Sequence, residues 1–186
     1  MPAQEIFISV DVEASGPIPG EYSLLSIGAC SIFETEKTFR CELQPSSPKH
    51  DPEALAVTGL SLAHLEKNGL PVTKAMQQFE HWLESCRSKQ DEKLIFVGFN
   101  AAFDWSFINY YFHKYLGRNP FGFSALDIKA LYMGSTHGTW AETKSSNMDV
   151  ALKPKLKGTH DPLEDALYQA ESVSYTHLTL PTTPYV

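Results

Sequence analysis

Residues 5–12 alternate Ile6, Ile8 and Val10 with Phe7, Ser9 and Asp11, with apolar side chains on both sides, which predicts a strand covered on both faces. A turn-rich loop follows at 14–21, carrying Gly16, Pro17, Pro19 and Gly20. Residues 24–33 and 37–43 read as the next two strands, a meander joined at Glu34, Thr35 and Glu36. Helical patterns cover about 52–67 and 71–86, the second with Ala75, Phe79, Trp82 and Leu83 on one face. A short apolar strand at 94–98 leads into a strong helical pattern at 101–116. A further short strand and helix cover 123–133, and residues 136–157 read as polar and irregular. Asp161 opens a last helix. Three strands followed by alternating helices and strands imply an α/β fold: a mixed central sheet flanked by helices.

A chain of 186 residues has room for one domain with a sizeable core. No apolar run reaches the length of a membrane span, and the start of the chain has no signal-peptide pattern. Cys30, Cys41 and Cys86 are odd in number and lack metal-site spacing, which fits a reducing compartment. These features together predict a cytoplasmic protein without a membrane partner.

Charge constrains the chemistry. Lys plus Arg number 15 against 22 Asp plus Glu, a net charge of −7. A broad basic face for tracking duplex nucleic acid is therefore excluded. Any work on nucleic acid must rest on a few local cations, bound metal and base stacking.

Three acidic clusters carry the candidate chemistry. Asp11 and Glu13 close the first strand, where residues two apart face the same way. Like charges held together at a strand end are commonly reconciled by a divalent cation. Standing alone, the pair also fits a solvated loop. The second cluster, Asn100 to Asp104, begins the 101–116 helix, with Asn100 the expected N-cap and Asp104 near the positive helix end. In the third, Asp161 caps the last helix, Pro162 takes its first position and Glu164 completes a capping-box pattern. Asp165 then falls at the fourth helical position, with His160 on the loop before it.

These residues resemble the motifs of the DEDDh exonucleases of the ribonuclease H-like fold. Their D-x-E motif with a small-residue turn matches Asp11-Val-Glu13-Ala-Ser15-Gly16. Their N-x-x-F-D matches Asn100-Ala-Ala-Phe103-Asp104, and their H-x4-D matches His160 and Asp165. The resemblance spans residues 5–172. It departs from the family pattern at Ser26, where a Glu is common, and at Pro17, a usual apolar wedge position.

The resemblance implies a metal-dependent 3′–5′ exonuclease that releases nucleoside monophosphates from single-stranded RNA or DNA ends with two Mg²⁺ or Mn²⁺ ions. Asp11, Glu13, Asp104 and Asp165 would hold the metals, and His160 would act as general base. Ser15 and Gly16 are the expected contacts of the terminal sugar. Asn100 belongs with the substrate-binding residues, and Phe103 and Phe123 are candidate base-stacking rings, whereas Phe107 and Tyr111 are expected in the core. Lys153, Lys155 and Lys157 could supply local phosphate contacts. Related stand-alone enzymes are often homodimers. Two readings compete: a nuclease-dead nucleic-acid-binding module, and a metal phosphoesterase of small nucleotides. Residues 173–182 look like an in-frame translated sequencing adapter, the alternative being a genuine flexible tail; on either reading the domain is expected to occupy 5–172 and residues 173–186 to lie outside the fold.

Overall fold

The computed structural model describes residues 4–89 and 91–178. Strand β1 (Glu5–Ala14) pairs antiparallel with β2 (Leu24–Ser31), which pairs antiparallel with β3 (Thr38–Glu42). Strand β4 (Lys93–Gly98) lies parallel to β1 on its other side, and β5 (Ala125–Asp127) continues in parallel, giving the order β3-β2-β1-β4-β5. This is the mixed sheet expected from the pattern. β1 stands at its centre because its residues are apolar on both sides.

Helices α1 (Pro52–Thr58), α2 (Leu62–Asn68), α3 (Val72–Ser85), α4 (Ala101–Leu116), α5 (Ile128–Thr136), α6 (Ser145–Leu152) and α7 (Pro162–Leu178) complete the described fold. One sheet face, carrying Ile8, Val10 and Val12, packs against Phe79 of α3 and against Phe107, Tyr111 and Phe112 of α4. Phe107 and Tyr111 are thus core residues, as expected. The opposite face, carrying Cys30 and Val97, packs against Ile128 of α5 and Ala166, Ala170 and Val173 of α7. Because side chains alternate along a strand, Asp11 and Glu13 belong to the α7 face, in step with Phe7.

Gly28 lets α7 approach that face. It pairs across the sheet with Asp11 on one side and Arg40 on the other. A Cβ added there would lie inside the backbone of Pro162 and Leu163. The start of α7 therefore rests directly on the strand beside Asp11.

The structure departs from the sequence pattern in three places. The helical region at 52–67 is two helices, broken at Gly59 with φ +66° and restarted by Ser61, whose side chain accepts from the His64 amide. The polar stretch 136–157 contains a 3₁₀ turn (Trp140–Thr143) and α6, the turn fixed by reciprocal bonds between Thr139 and Glu142. Helix α7 does not stop at Ser172 but runs to Leu178, with Val173 and Thr176 buried against the fold. The expected boundary at residue 172 thus falls inside a helix, and residues 179–186 lie outside those described. Cys30, Cys41 and Cys86 are buried and unpaired, and no helix among the described residues is long and apolar enough to cross a membrane.

Candidate active site

Asp11 and Glu13 sit at the end of β1, where the starts of α4 and α7 converge. From α4, Asp104 reaches back to the strand, and its Oδ1 accepts from the Val12 amide at 3.0 Å. Asp104 is only 4% exposed. From α7, Asp165 accepts from the Thr159 amide at 2.7 Å and the His160 amide at 3.0 Å, one on each oxygen. It thereby folds the preceding loop back over its own helix start. Oxygen or nitrogen atoms of Glu13, His160 and Asp165 all lie within 4.8 Å of one another, a group that could hold a metal ion.

Electrostatics ties Asp11 and Asp104 to that group. Burial pushes the Asp11 carboxyl well above the ordinary carboxylate range, and the charges of Asp104, Asp165 and Glu13 push it further. Glu13 is raised to about 7, first by burial and then by Asp165 and Asp161. Asp104 is raised by burial and by Glu13 and Asp127, against the lowering effect of its backbone hydrogen bonds. Three carboxyls that resist ionisation first because they are buried and then because of acidic neighbours make a place suited to positive charge, which a divalent cation would supply. The five residues singled out in sequence are thus brought together.

Substrate candidates fare unevenly. Ser15 is fully buried; its hydroxyl donates to the Lys49 carbonyl at 3.0 Å and accepts from the Ser23 amide at 2.9 Å. It staples a loop and its one donor is already spent on Lys49; sequence shows a serine beside a turn but not which backbone groups use it. Gly16 packs under the Tyr22 ring, which a side chain there would penetrate. Asn100 stands at the N-cap position of α4 as expected, but it adopts φ +60° and its side chain makes no capping bond. That task falls to Asp127, whose Oδ2 accepts from the Ala101 amide at 2.7 Å while Oδ1 accepts from the Ala130 amide at 2.8 Å. Phe103 is half-buried against the core and contacts Phe107 at 5.2 Å between ring centres. Phe123 is 94% exposed, so it is no core residue. Lys153, Lys155 and Lys157 are exposed, and the loop bearing them is pinned where the amides of Lys155 and Leu156 donate to Glu171.

At the start of α7, Asp161 caps as expected, its Oδ1 accepting from the Leu163 and Glu164 amides at 3.1 and 3.2 Å. Glu164 does not return the bond to the cap residue; it accepts from the Thr159 hydroxyl at 2.6 Å instead. Arg40 of β3 adds an ion pair to Asp161 at 2.6 Å.

Sequence reasoning missed Gln169. Its amide is buried at 3% exposure, one turn beyond Asp165 on α7. Nε2 donates to Asp11 Oδ1 at 2.7 Å, and Oε1 accepts from the Phe99 amide at 3.2 Å and the Ser9 hydroxyl at 3.4 Å. A glutamine in a helix carries no motif; the only available signal was its spacing of four from Asp165, which puts both on one face.

Residues 6–177 match the family described as the 3′–5′ exoribonuclease Rv2179c-like domain. The chain belongs to this family. It is also 58% identical over 168 residues to the 3′–5′ DNA exonuclease Cap18 of Escherichia coli, covering 90% of this chain and 89% of that protein. Its activity is that of a 3′–5′ exonuclease. Among solved structures, the nuclease domain of 3′hExo, a DEDDh family member bound to rAMP, superposes with a TM-score of 0.73 at 16% identity, covering 94% of this chain and 93% of that one. Escherichia coli exonuclease I in complex with a dT13 oligonucleotide gives 0.70 at 14% identity over 95% of this chain, which spans 42% of that larger protein. At these identities the likeness is one of fold, the ribonuclease H-like α/β fold.

Proposed function

We propose that this exonuclease removes nucleoside monophosphates from the 3′ ends of single-stranded DNA, using two Mg²⁺ or Mn²⁺ ions held by Asp11, Glu13, Asp104 and Asp165. The observation that carries the chemistry is the convergence of these carboxyls from β1, α4 and α7, each of the first three raised by burial and by acidic neighbours. An all-oxygen donor set of this kind suits hard divalent cations. The preference for DNA rests on the relative with 58% identity, whose likeness spans most of both chains. The family description favours RNA and is the second reading.

When bound, the ions supply charge neutralisation at the phosphate and lower the pKa of the attacking water. The chain's own contribution is placement. Val12 N–H and Gln169 hold one oxygen each of Asp104 and Asp11, leaving the second oxygen of each for coordination. His160 accepts the proton of the attacking water as general base; its backbone amide bonded to Asp165 keeps the imidazole beside Glu13. The exposed, left-handed backbone of His160, with φ +61°, leaves the ring on the solvent side of the acids, where a proton can depart.

The test uses 5′-labelled and 3′-labelled single strands of DNA and RNA with Mg²⁺, Mn²⁺ or EDTA, comparing the wild type with Asp11→Ala. Stepwise shortening from the 3′ end, abolished in EDTA and in the variant and faster on DNA, is the expected result. Faster hydrolysis of RNA would transfer the assignment to the ribonuclease reading. Cleavage that survives Asp11→Ala would refute the site.

A further inference from the structure

The start of α4 borders two different surfaces. Its buried side carries Asp104; its outer side, with Asn100, Ala101, Ala102 and Trp105, lines a cleft of roughly 470 Å³ closed by Ala125, Asp127, Ala130 and Trp140. We propose that this cleft is a strand subsite, in which Trp140 stacks on a base upstream of the terminal nucleotide of a single strand and Lys129 meets its phosphate. The inference rests on the nuclease reading above and extends it from the scissile bond to the body of the substrate.

Four observations select this occupant. Trp140 stands 53% exposed at the head of the 3₁₀ turn, an unusual place for so large an apolar surface. Lys129 Nζ lies 4.4 Å from the centre of the Trp140 ring and 5.9 Å from that of Phe99, so a cation is held against two aromatic rings, one of which lines the cleft, and it precedes the lining residue Ala130 in α5. The walls facing Trp140 include four alanines, which leave room for a flat ring. Asp127, the one acid in the lining, has both oxygens occupied by backbone amides, so its charge is already directed into the two helix starts.

The combination matches single-strand recognition, which pairs aromatic stacking with backbone-tracking cations. It also answers the charge problem. A chain of net charge −7 cannot hold a strand by overall attraction, so a local cation beside a stacking ring is the economical alternative. The bland alternative is that Lys129 and Trp140 only brace the 3₁₀ turn against α5.

Kinetics on two substrate lengths separates the two. The stacked base is placed two or more nucleotides upstream of the 3′-terminal one, so with a dinucleotide, which lacks that base, Trp140→Ala is expected to leave kcat and KM unchanged. With a single-stranded octanucleotide, KM rises about 5- to 150-fold, the equivalent of one lost base stack. Trp140→Phe restores most of the loss, and Lys129→Gln lowers the slope of log KM against log salt by about 0.7, the share of one phosphate contact on a single strand. Equal changes on both lengths, or an unchanged octanucleotide KM, would overturn the subsite. Anisotropy of a labelled octanucleotide in EDTA reads the same contact without turnover. If the wild type cleaves neither substrate, the nuclease reading fails, and a Trp140→Ala protein that still binds the strand as tightly as wild type fails the subsite separately.

Discussion

Gln169 holds Asp11. The 2.7 Å bond from its Nε2 to Asp11 Oδ1 joins the last helix to the central strand, and its Oε1 gathers the Ser9 hydroxyl and the Phe99 amide from β1 and the end of β4. One buried amide thus sets the orientation of the Asp11 carboxyl, which the charges of Asp104, Asp165 and Glu13 all reach. It does for the site what second-layer carboxylates do for metal-bound histidines.

Replacing Gln169 with Leu removes the donor to Asp11 and leaves two donors without an acceptor. Each buried unsatisfied group costs about 1–3 kcal/mol, so the melting temperature should fall. Activity should fall by about 10- to 100-fold, the usual cost of losing such a partner. A shift of the metal-activation curve to higher Mn²⁺ is the readout that packing alone would not move. An unshifted curve would reduce Gln169 to a core residue.

Gly28 should tolerate no side chain. In Gly28→Ala the new methyl meets the backbone of Pro162 and Leu163, which cannot rotate away, so the start of α7 must lift and carry His160 and Asp165 with it. A destabilisation of about 1–3 kcal/mol is expected, with a disproportionate loss of turnover. Gly134 in α5 is the control: open space surrounds it and it sits inside a helix, so Gly134→Ala should be neutral or stabilise by about 0.5–1 kcal/mol.

The contrast between Gly28 and the acids shows what the sequence could and could not reveal. Strands β1 to β4 and helices α3 and α4 were legible because their apolar periodicity is strong. That Asp11, Glu13, Asp104, His160 and Asp165 lie at one end of the sheet was legible because their spacing within strand and helix starts is local. The bonds of Ser15, the missing capping bond of Asn100 and the role of Gln169 were hidden for the opposite reason. Their roles depend on partners far along the chain: Ser15 on Lys49, the capping of α4 on Asp127, and Gln169 on Asp11. Residues 136–157 hid a 3₁₀ turn and α6 because polar composition masks short helices held by capping bonds, and the end of α7 was hidden by an unusual tail sequence whose first residues still find buried places.

His160 offers a choice between ligand and base that kinetics can decide. In His160→Ala the backbone bond to Asp165 survives, since the amide makes it. As a base, His160 should be worth about 10²- to 10⁴-fold in kcat, with the Mn²⁺ activation midpoint unchanged. Loss of metal affinity in parallel with rate would instead make the imidazole a ligand, which its position within 4.8 Å of Glu13 and Asp165 also permits.

The acids should make the metal-free protein more stable at lower pH, against the usual trend for carboxylates. Glu13 titrates at about 7 in the fold against an ordinary 4.5, and Asp11 and Asp104 are raised as well. Between about pH 4.5 and 7 the folded chain therefore binds more protons at Glu13 than the unfolded chain does. Since stability rises with pH only where the unfolded state binds more, it must fall here as pH increases. The penalty is complete above the folded pKa and absent below the ordinary one. In EDTA, the melting temperature should decline from pH 5 to pH 8, and Glu13→Gln or Asp104→Asn should raise it at pH 8 while abolishing turnover. Each kcal/mol recovered corresponds to about 2–4 °C in a chain of this size. Mn²⁺ should reverse the decline in the wild type and do much less in either variant, because the substitution removes the buried charge that the ion would neutralise. Thermal melts at the two pH values, with and without Mn²⁺, measure all of this. A wild type whose metal-free stability rises toward pH 8 would mean that burial and acidic neighbours do not hold these carboxyls above their ordinary range in the folded chain.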